Sequence, residues 1–464
     1  MNKYNEYRNL YKEFIYKKIT KEVIDNNLHI TYYFEIPGLA TFTPTTDIPL
    51  NNINLNNKDD SFINELIFHI GLVELISYWK CACPPNVIIE AGYINEEQIN
   101  WFKKLYFYGL GEFFYTNGID PDIDTFMNIT VNHEPTTHNP IFTGTGTLIP
   151  IGGGKDSCVT LELLAHQDNN SCFIINPKPV TLECAKLANY DKENTITPLR
   201  RIDKNLIELN KQGFLNGHTP FSSMVAFLSY LTAYLYDKKY IALSNESSAN
   251  ESNVEGTKIN HQYSKTYEFE SDFNYYTKKF FNIDILYFSL LRPLSEYQIG
   301  MLFSKYEKYH PVFKSCNVGS KGETWEWCCD CPKCLFVYSI LSPHLYKEKL
   351  VNIFGKDMFE NESLLTTFKE LLGRGDNKPF ECVGTYEEVN YAISKTIKQL
   401  EQNNETLPYL LQYYKDNYEL LDTNKINLEG EYNEEHHLNN YFEDIIKKAI
   451  NYDKLNYWKI KSIY

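Results

Sequence analysis

Between Ile149 and Leu164 the chain reads IPIGGGKDSCVTLELL, so three glycines, a lysine, an aspartate and a serine separate a strand-like run from a helical one. Such a turn suits an anion. Gly152, Gly153 and Gly154 let the backbone approach closely and present N–H groups, the helix start adds its positive dipole, and Lys155 and Ser157 supply a charge and a hydroxyl. Asp156 is chemically sensible beside phosphates if it holds a Mg²⁺ that bridges them. The Walker A pattern fails, because Ile149 stands at its first glycine and Asp156 at its final hydroxyl position. A tight turn capped by Asp156 is the plain alternative, but three successive glycines carry an entropic cost that a mere turn does not require.

A second cluster is WCCDCPKC, with Cys328, Cys329, Cys331 and Cys334, and with Cys316 upstream. C-x-x-C spacing at 328/331 and 331/334 plus one separate thiolate suffices for a tetrahedral zinc site without histidine. The expected ligands are Cys316, Cys328, Cys331 and Cys334, with Cys329 spare. A closed four-thiolate site is structural, and such a Zn²⁺ contributes about 10–16 kcal/mol of apparent binding free energy in small peptides. Redox-active or simply buried thiols are the alternative. Cys81 and Cys83, as C-x-C, read as packing.

Three polar stretches exceed what a fold requires. NGHTPFSS carries Asn216 and His218, SNESSANESN carries Asn245, Glu246 and Asn250, and KINHQYSKTYEFE (Lys258 to Glu270) carries His261, Gln262, Ser264 and Lys265. The second follows a predicted strand, at the end where open α/β sheets bind ligands. Each residue alone reads as a loop or cap; together they favour a substrate site. Arg292 in LLRPLSE could meet a carboxylate in a bidentate fork or form a surface ion pair. Glu381 and Cys382 in PFECVGTYEE complete the set.

The elements that must carry these residues follow from the pattern. Residues 1–135 combine strand-like alternation (Leu28 to Ile36) with helices opening at Ser61 and near Glu96, as in an α+β domain. The Pro/Thr/Gly-rich run Asn132 to Thr147 marks a boundary. From 136 to 345 short apolar runs at Leu148, Cys172 to Ile175, Tyr240 to Leu243 and Ile285 to Leu290 alternate with helices starting at Asp156, near Leu182 and at Phe221, as a parallel sheet covered on both faces requires. Residues 346–464 read as a mostly helical region, with Thr385 and Glu388 as a capping box. The fold class is therefore α/β: a central parallel sheet between an N-terminal α+β domain and a helical C-terminal region.

Composition excludes several classes. The 464 residues are 43% hydrophobic and the net charge is −15, which supplies real cores and a field that repels nucleic acid and does not favour an anionic membrane. The N-terminal MNKYNEYRNLYKEFIYKKIT lacks an apolar signal core, so a cytoplasmic location is expected. Eleven cysteines, an odd and clustered number, argue for metal rather than a disulfide framework there. The apolar stretches at Phe62 to Trp79 and Met224 to Tyr236 read as buried helices.

Gly153 to Ser157 resembles the PP-loop, usually S-G-G-x-D-S, of the N-type ATP pyrophosphatases, which hold ATP and release AMP and pyrophosphate; Gly152 stands where that group has serine. With LNGHTPFSS, SNESSANESN, NHQYSKTYEFE, LRPLSE, SCN, WCCDCPKC, FECVGT and GLGEFFYTNG, the chain resembles the MurL family of UDP-N-acetylmuramoyl-L-alanyl-L-glutamate epimerases. The resemblance implies an adenine nucleotide α-hydrolase-like sheet, ATP and Mg²⁺ as cofactors, and a UDP-linked peptidoglycan precursor as substrate. Among the residues found here, Lys155 and Asp156 are expected to be catalytic, and His218, His261 and Cys382 are the candidates for proton transfer. An amide- or nitrile-forming PP-loop ligase, such as a 7-cyano-7-deazaguanine synthase-like enzyme, and a non-enzymatic nucleotide-binding module remain alternatives. A tRNA-modifying PP-loop enzyme fits the acidic chain less well.

Overall fold

The structure is a computed structural model that describes residues 3–51, 53–253, 259–319, 326–423 and 425–451. Lys258, the first residue of the third polar stretch, lies outside the described residues.

The first sheet is built mainly from β1 (Glu13–Ile24), β2 (Asn27–Ile36), β3 (Ala40–Phe42), β4 (Thr45–Pro49), β5 (Asn86–Ile89) and β6 (Asn128–Val131). It is mixed: β1 pairs antiparallel with β2 and parallel with β5, and β5 runs parallel to β6. In β2, Leu28, Ile30, Tyr32, Phe34 and Ile36 are all buried and the residues between them are half-buried, the period of a strand with one covered face. The cover is the helix Asp60–Trp79, whose start is capped by Asp59 accepting from the Phe62 N–H at 3.1 Å. By length and composition this helix could cross a membrane, but 83% of its apolar window is buried within the fold. Gly71 is required on it, since a Cβ there would run into the Tyr16 hydroxyl.

The second sheet holds β7 (Thr147–Pro150), β8 (Ser171–Phe173) and β9 (Thr195–Ile196); the chain then lends β10 (Leu199–Arg201) to the first sheet beside β4 and returns with β11 (Tyr240–Leu243) and β12 (Leu286–Ser289). The order is β12-β11-β7-β8-β9, and all four pairings are parallel. Each strand alternates between two cores. Leu148, Phe173, Ile241 and Tyr287 face the core shared with the first sheet and the helix Phe221–Leu235. Ile149, Cys172, Ala242 and Phe288 face the other, shared with the helix Lys155–Leu164 and the helices that follow residue 331. The parallel sheet is thus the wall between two cores, and that is why its strands read as continuous apolar runs.

A buried ion pair fastens β10 to the first layer. Arg200 donates from Nε to Glu74 Oε2 at 2.6 Å and from Nη2 to Glu74 Oε1 at 2.8 Å, a bidentate fork onto the helix Asp60–Trp79. Among the described residues after β12 the regular elements are helical, including Glu296–Ser304, Pro332–Leu341 and Tyr386–Gln402. Thr385 and Glu388 form the expected capping box on the last of these.

Candidate active site

The strand order reverses at β7: β8 continues the sheet on one side and β11 on the other. Loops leaving neighbouring strands diverge at such a point and leave a crevice beyond their carboxyl ends. A cleft of about 420 Å³ lies there, lined by Gly152, Gly154, Asp156 and Ser157 after β7, Asn176 and Lys178 after β8, and Asn245 and Glu246 after β11. A larger cavity, about 820 Å³, opens among the C-terminal helices and holds none of the residues singled out in the sequence.

The glycine turn is shaped by its neighbours. Gly153 has φ +81°, which favours glycine, and its carbonyl accepts from the Lys314 N–H at 2.9 Å. A Cβ at position 154 would lie 2.7 Å from Ser315 Oγ, so the segment around Lys314 packs directly over the turn. The Gly152 N–H donates to Ser157 Oγ at 3.0 Å, which fixes the hydroxyl at the helix start.

Lys155 is buried behind the turn and bonded to both Asp156 and Glu296. Burial would lower its pKa, but the two carboxylates outweigh that and raise it, so the ammonium persists. Burial would likewise raise Asp156, yet Lys155, Lys333 and Lys265 hold its carboxyl below the usual range. Burial, with Asp156 and Glu246 nearby and Lys155 opposing, pushes Glu296 up to about 8. Lys155 thus holds two carboxylates, Asp156 and Glu296, side by side at the mouth of the turn.

At the far wall Lys265 Nζ lies 3.1 Å from Cys382 Sγ, and Lys333 bonds the Cys382 carbonyl. Behind Cys382, His261 bonds Glu112, and the His218 ring lies tilted against His261 with ring centroids 4.3 Å apart. Burial would raise the Cys382 thiol, but Lys265, His261 and Lys333 hold it at about 6. Burial would lower His261, but Cys382 and Glu112 raise it to about 9. Burial and the His261 charge lower His218 to about 4.

Other expected site residues are placed as follows. Asn245 donates to Ser289 Oγ at 3.0 Å while lining the cleft, and Glu381 accepts from Asn317 near the cysteine cluster. Gln262 and Ser264 are buried on the turn that carries Lys265, and Asn216 precedes His218 with its Oδ1 accepting from the Gly217 N–H at 2.9 Å. Asn250 is exposed and accepts from the Tyr267 N–H at 2.8 Å, at the start of the helix Tyr267–Tyr276. Arg292 is 0% exposed, donating to the Glu246 carbonyl at 2.7 Å, to the Lys265 carbonyl at 2.5 Å and to Glu270 at 3.1 Å, so it braces two cleft segments from behind. Glu112, Glu296, Lys314 and Lys333 were not singled out in the sequence; Glu112 sits on the short helix Gly111–Thr116 with no spacing to mark it.

The four expected cysteines converge. Sγ separations are 3.9 Å for Cys316 and Cys331, 3.7 Å for Cys328 and Cys334, and 3.5 Å for Cys331 and Cys334. A tetrahedron with Zn–S bonds of about 2.3 Å has edges of about 3.8 Å, so the set fits Zn²⁺. Cys316 Sγ also accepts from the Gly319 N–H at 3.1 Å, and Cys329 turns away toward the Phe354 carbonyl at 3.1 Å. The Cys331→Ser variant is expected to lose stoichiometric zinc by metal analysis and to melt at a lower temperature; unchanged zinc would make these ordinary thiols.

Comparison with known sequences covers most of the chain. The sequence model of the MurL N-terminal domain matches residues 5–290, and that of the MurL C-terminal domain residues 312–422. The relative named UDP-N-acetyl-alpha-D-muramoyl-L-alanyl-L-glutamate epimerase from Xanthomonas oryzae pv. oryzae is 32% identical over 397 residues, 83% of this chain and 86% of its own. Relatives of the same name from Micromonospora sp. and Salinispora tropica are each 32% identical, covering 78% and 77% of this chain and 81% and 78% of their own.

Proposed function

The chain belongs to the MurL family, and on that premise we propose that it inverts the terminal L-glutamate of UDP-MurNAc-L-Ala-L-Glu to D-glutamate, with ATP activating the glutamate carboxylate as an acyl-adenylate. The observation that carries the ATP-dependent part is the glycine turn with Asp156 at the reversal point of a parallel sheet, facing Cys382 and Lys265 across one cleft. In this reading the sheet and turn are those of a PP-loop nucleotide-binding domain, and the enzyme works in the cytoplasm, where UDP-linked cell-wall precursors would be built.

A Cα–H beside a free carboxylate resists removal, because the carbanion would add negative charge next to an existing one. ATP supplies an adenylyl group that converts the carboxylate into an acyl centre able to take up that charge. The backbone N–H groups of Gly153 and Gly154 and the Ser157 hydroxyl would hold phosphate oxygens, and Asp156 would hold Mg²⁺. Lys155, fixed by two carboxylates, keeps a positive charge beneath the turn. Lys265 and Lys333 line the opposite wall, where positive charge favours a developing enolate oxygen. Cys382 stands at that wall with His261 and His218 behind it, and these three are the candidates for proton transfer. The four-cysteine site would hold Zn²⁺, with Cys316 next to Ser315 at the glycine turn and Lys333 between Cys331 and Cys334.

The stoichiometry tests this reading. One AMP and one pyrophosphate are expected for each glutamate inverted, by nucleotide chromatography beside chiral amino-acid analysis. Release of ADP and phosphate, or formation of an amide, would refute it.

A further inference from the structure

Three side chains compete for the role of proton acceptor at the far wall, and their placement separates them. Cys382 lines the cleft together with Asp156; His218 and His261 stand behind it. We propose that Cys382 is the group that removes the α-proton of the bound glutamyl residue, and that His261 and Glu112 are positioning residues that hold its sulfur at the cleft. This rests on the epimerase reading above.

The sulfur is surrounded from several elements. Lys265 reaches it at 3.1 Å from the turn before the helix Tyr267–Tyr276, and Lys333 holds its backbone carbonyl from the helix Pro332–Leu341. The His261 imidazole bonds Glu112 and lies close enough to the Cys382 sulfur for each to shift the other's titration, so thiol, imidazole and carboxylate run in series away from the cleft. The His261 backbone N–H donates to Asn253 Oδ1 at 2.7 Å, which fixes the residue from its main chain. His218 Nδ1 lies 3.8 Å from the same Glu112 oxygen, and Glu381, the neighbour of Cys382, bonds Asn317.

Charge agrees with this placement. Near neutral pH His261 already carries its proton and cannot accept another, whereas the sulfur surrounded by Lys265, His261 and Lys333 is a thiolate. Of the cleft carboxylates, Asp156 and Glu296 are both bound to Lys155, which leaves Glu246 as the rival base.

The step balances without an oxidant or reductant. The Cα–H bond breaks, its electron pair passes into the activated carbonyl, and the proton forms S–H on Cys382. A solvent-derived proton delivered to the opposite face of Cα completes the inversion, the S–H proton returns to solvent, and water attacks the acyl carbonyl to give the free carboxylate with AMP as leaving group.

Two measurements on the full-length protein test this. Iodoacetamide labelling of Cys382, mapped by peptide mass against pH, should be half-maximal near pH 6 in the wild type. His261→Asn should move it upward, towards the ordinary thiol value of about 8.5, because the imidazolium is lost while Lys265 and Lys333 remain. Cys382→Ala should keep releasing AMP while D-glutamate formation and deuterium uptake at Cα fall by about 10²–10⁴-fold. A wild-type thiol titrating near its ordinary value overturns the proposal. So does retained inversion in Cys382→Ala, or selective loss of exchange in Glu246→Gln alone. In those cases the wild type still inverts glutamate; a wild type that never inverts it refutes the epimerase reading instead.

Discussion

Asp156→Ala is expected to lower AMP and pyrophosphate release by at least about 10²–10³-fold, the cost of removing one preorganised electrostatic contact from a reacting centre. The fold should survive. Lys155 keeps Glu296 as a partner, and Ser157 keeps its bond to the Gly152 N–H, so the turn loses a carboxylate without losing its shape. Thermal melting within a few degrees of the wild type, beside the lost release, would assign the effect to the chemistry at the turn rather than to folding. Asp156→Asn keeps the size and removes the charge, and is expected to behave almost as badly, because a neutral amide is a poor ligand for a hard divalent cation. Wild-type release in Asp156→Ala would remove this residue from the nucleotide chemistry.

Arg292→Met should give the largest loss of stability, about 3–5 kcal/mol, because it strands a buried charge. The guanidinium and Glu270 are 0% and 1% exposed, so without Arg292 the Glu270 carboxylate keeps the Ser289 hydroxyl as a donor but loses the cation paired with it. Function should fall with stability, because Arg292 also holds the carbonyls of Glu246 and Lys265, and those segments form opposite parts of the cleft wall. The double variant Arg292→Met with Glu270→Leu should recover part of the stability and none of the bracing. Denaturant midpoints separate the two effects. A loss below about 1 kcal/mol in the single variant would show that the pair is solvated in solution.

Much of the parallel sheet was legible because each of its strands is buried on both faces and therefore written as a short apolar run. β1 was hidden for the opposite reason: of EFIYKKITKEVI only Phe14 and Tyr16 are buried, and the charges on the rest mask the alternation. The glycine turn could be read locally, since its chemistry lies within six consecutive residues. The four cysteines could be read because ligand spacing leaves a mark along the chain. Glu112 left none. It meets His261 across 149 positions, and a single glutamate on a short helix carries no period or motif. Lys333 was in view only as a spacer between Cys331 and Cys334, although that spacing is what turns it toward the cleft. Arg292 read as either a substrate fork or a surface pair, because sequence does not report that Glu270 and Ser289 fold against it in a closed core.

The most direct test of the function is incubation of the wild-type protein with ATP, Mg²⁺ and UDP-MurNAc-L-Ala-L-Glu in D₂O, following AMP, substrate mass and glutamate chirality together. The expected result is D-glutamate carrying one deuterium at Cα, with AMP appearing in step. AMP without deuterium or inversion would contradict the epimerase and point to a ligase acceptor, and inversion without AMP would contradict activation by adenylation.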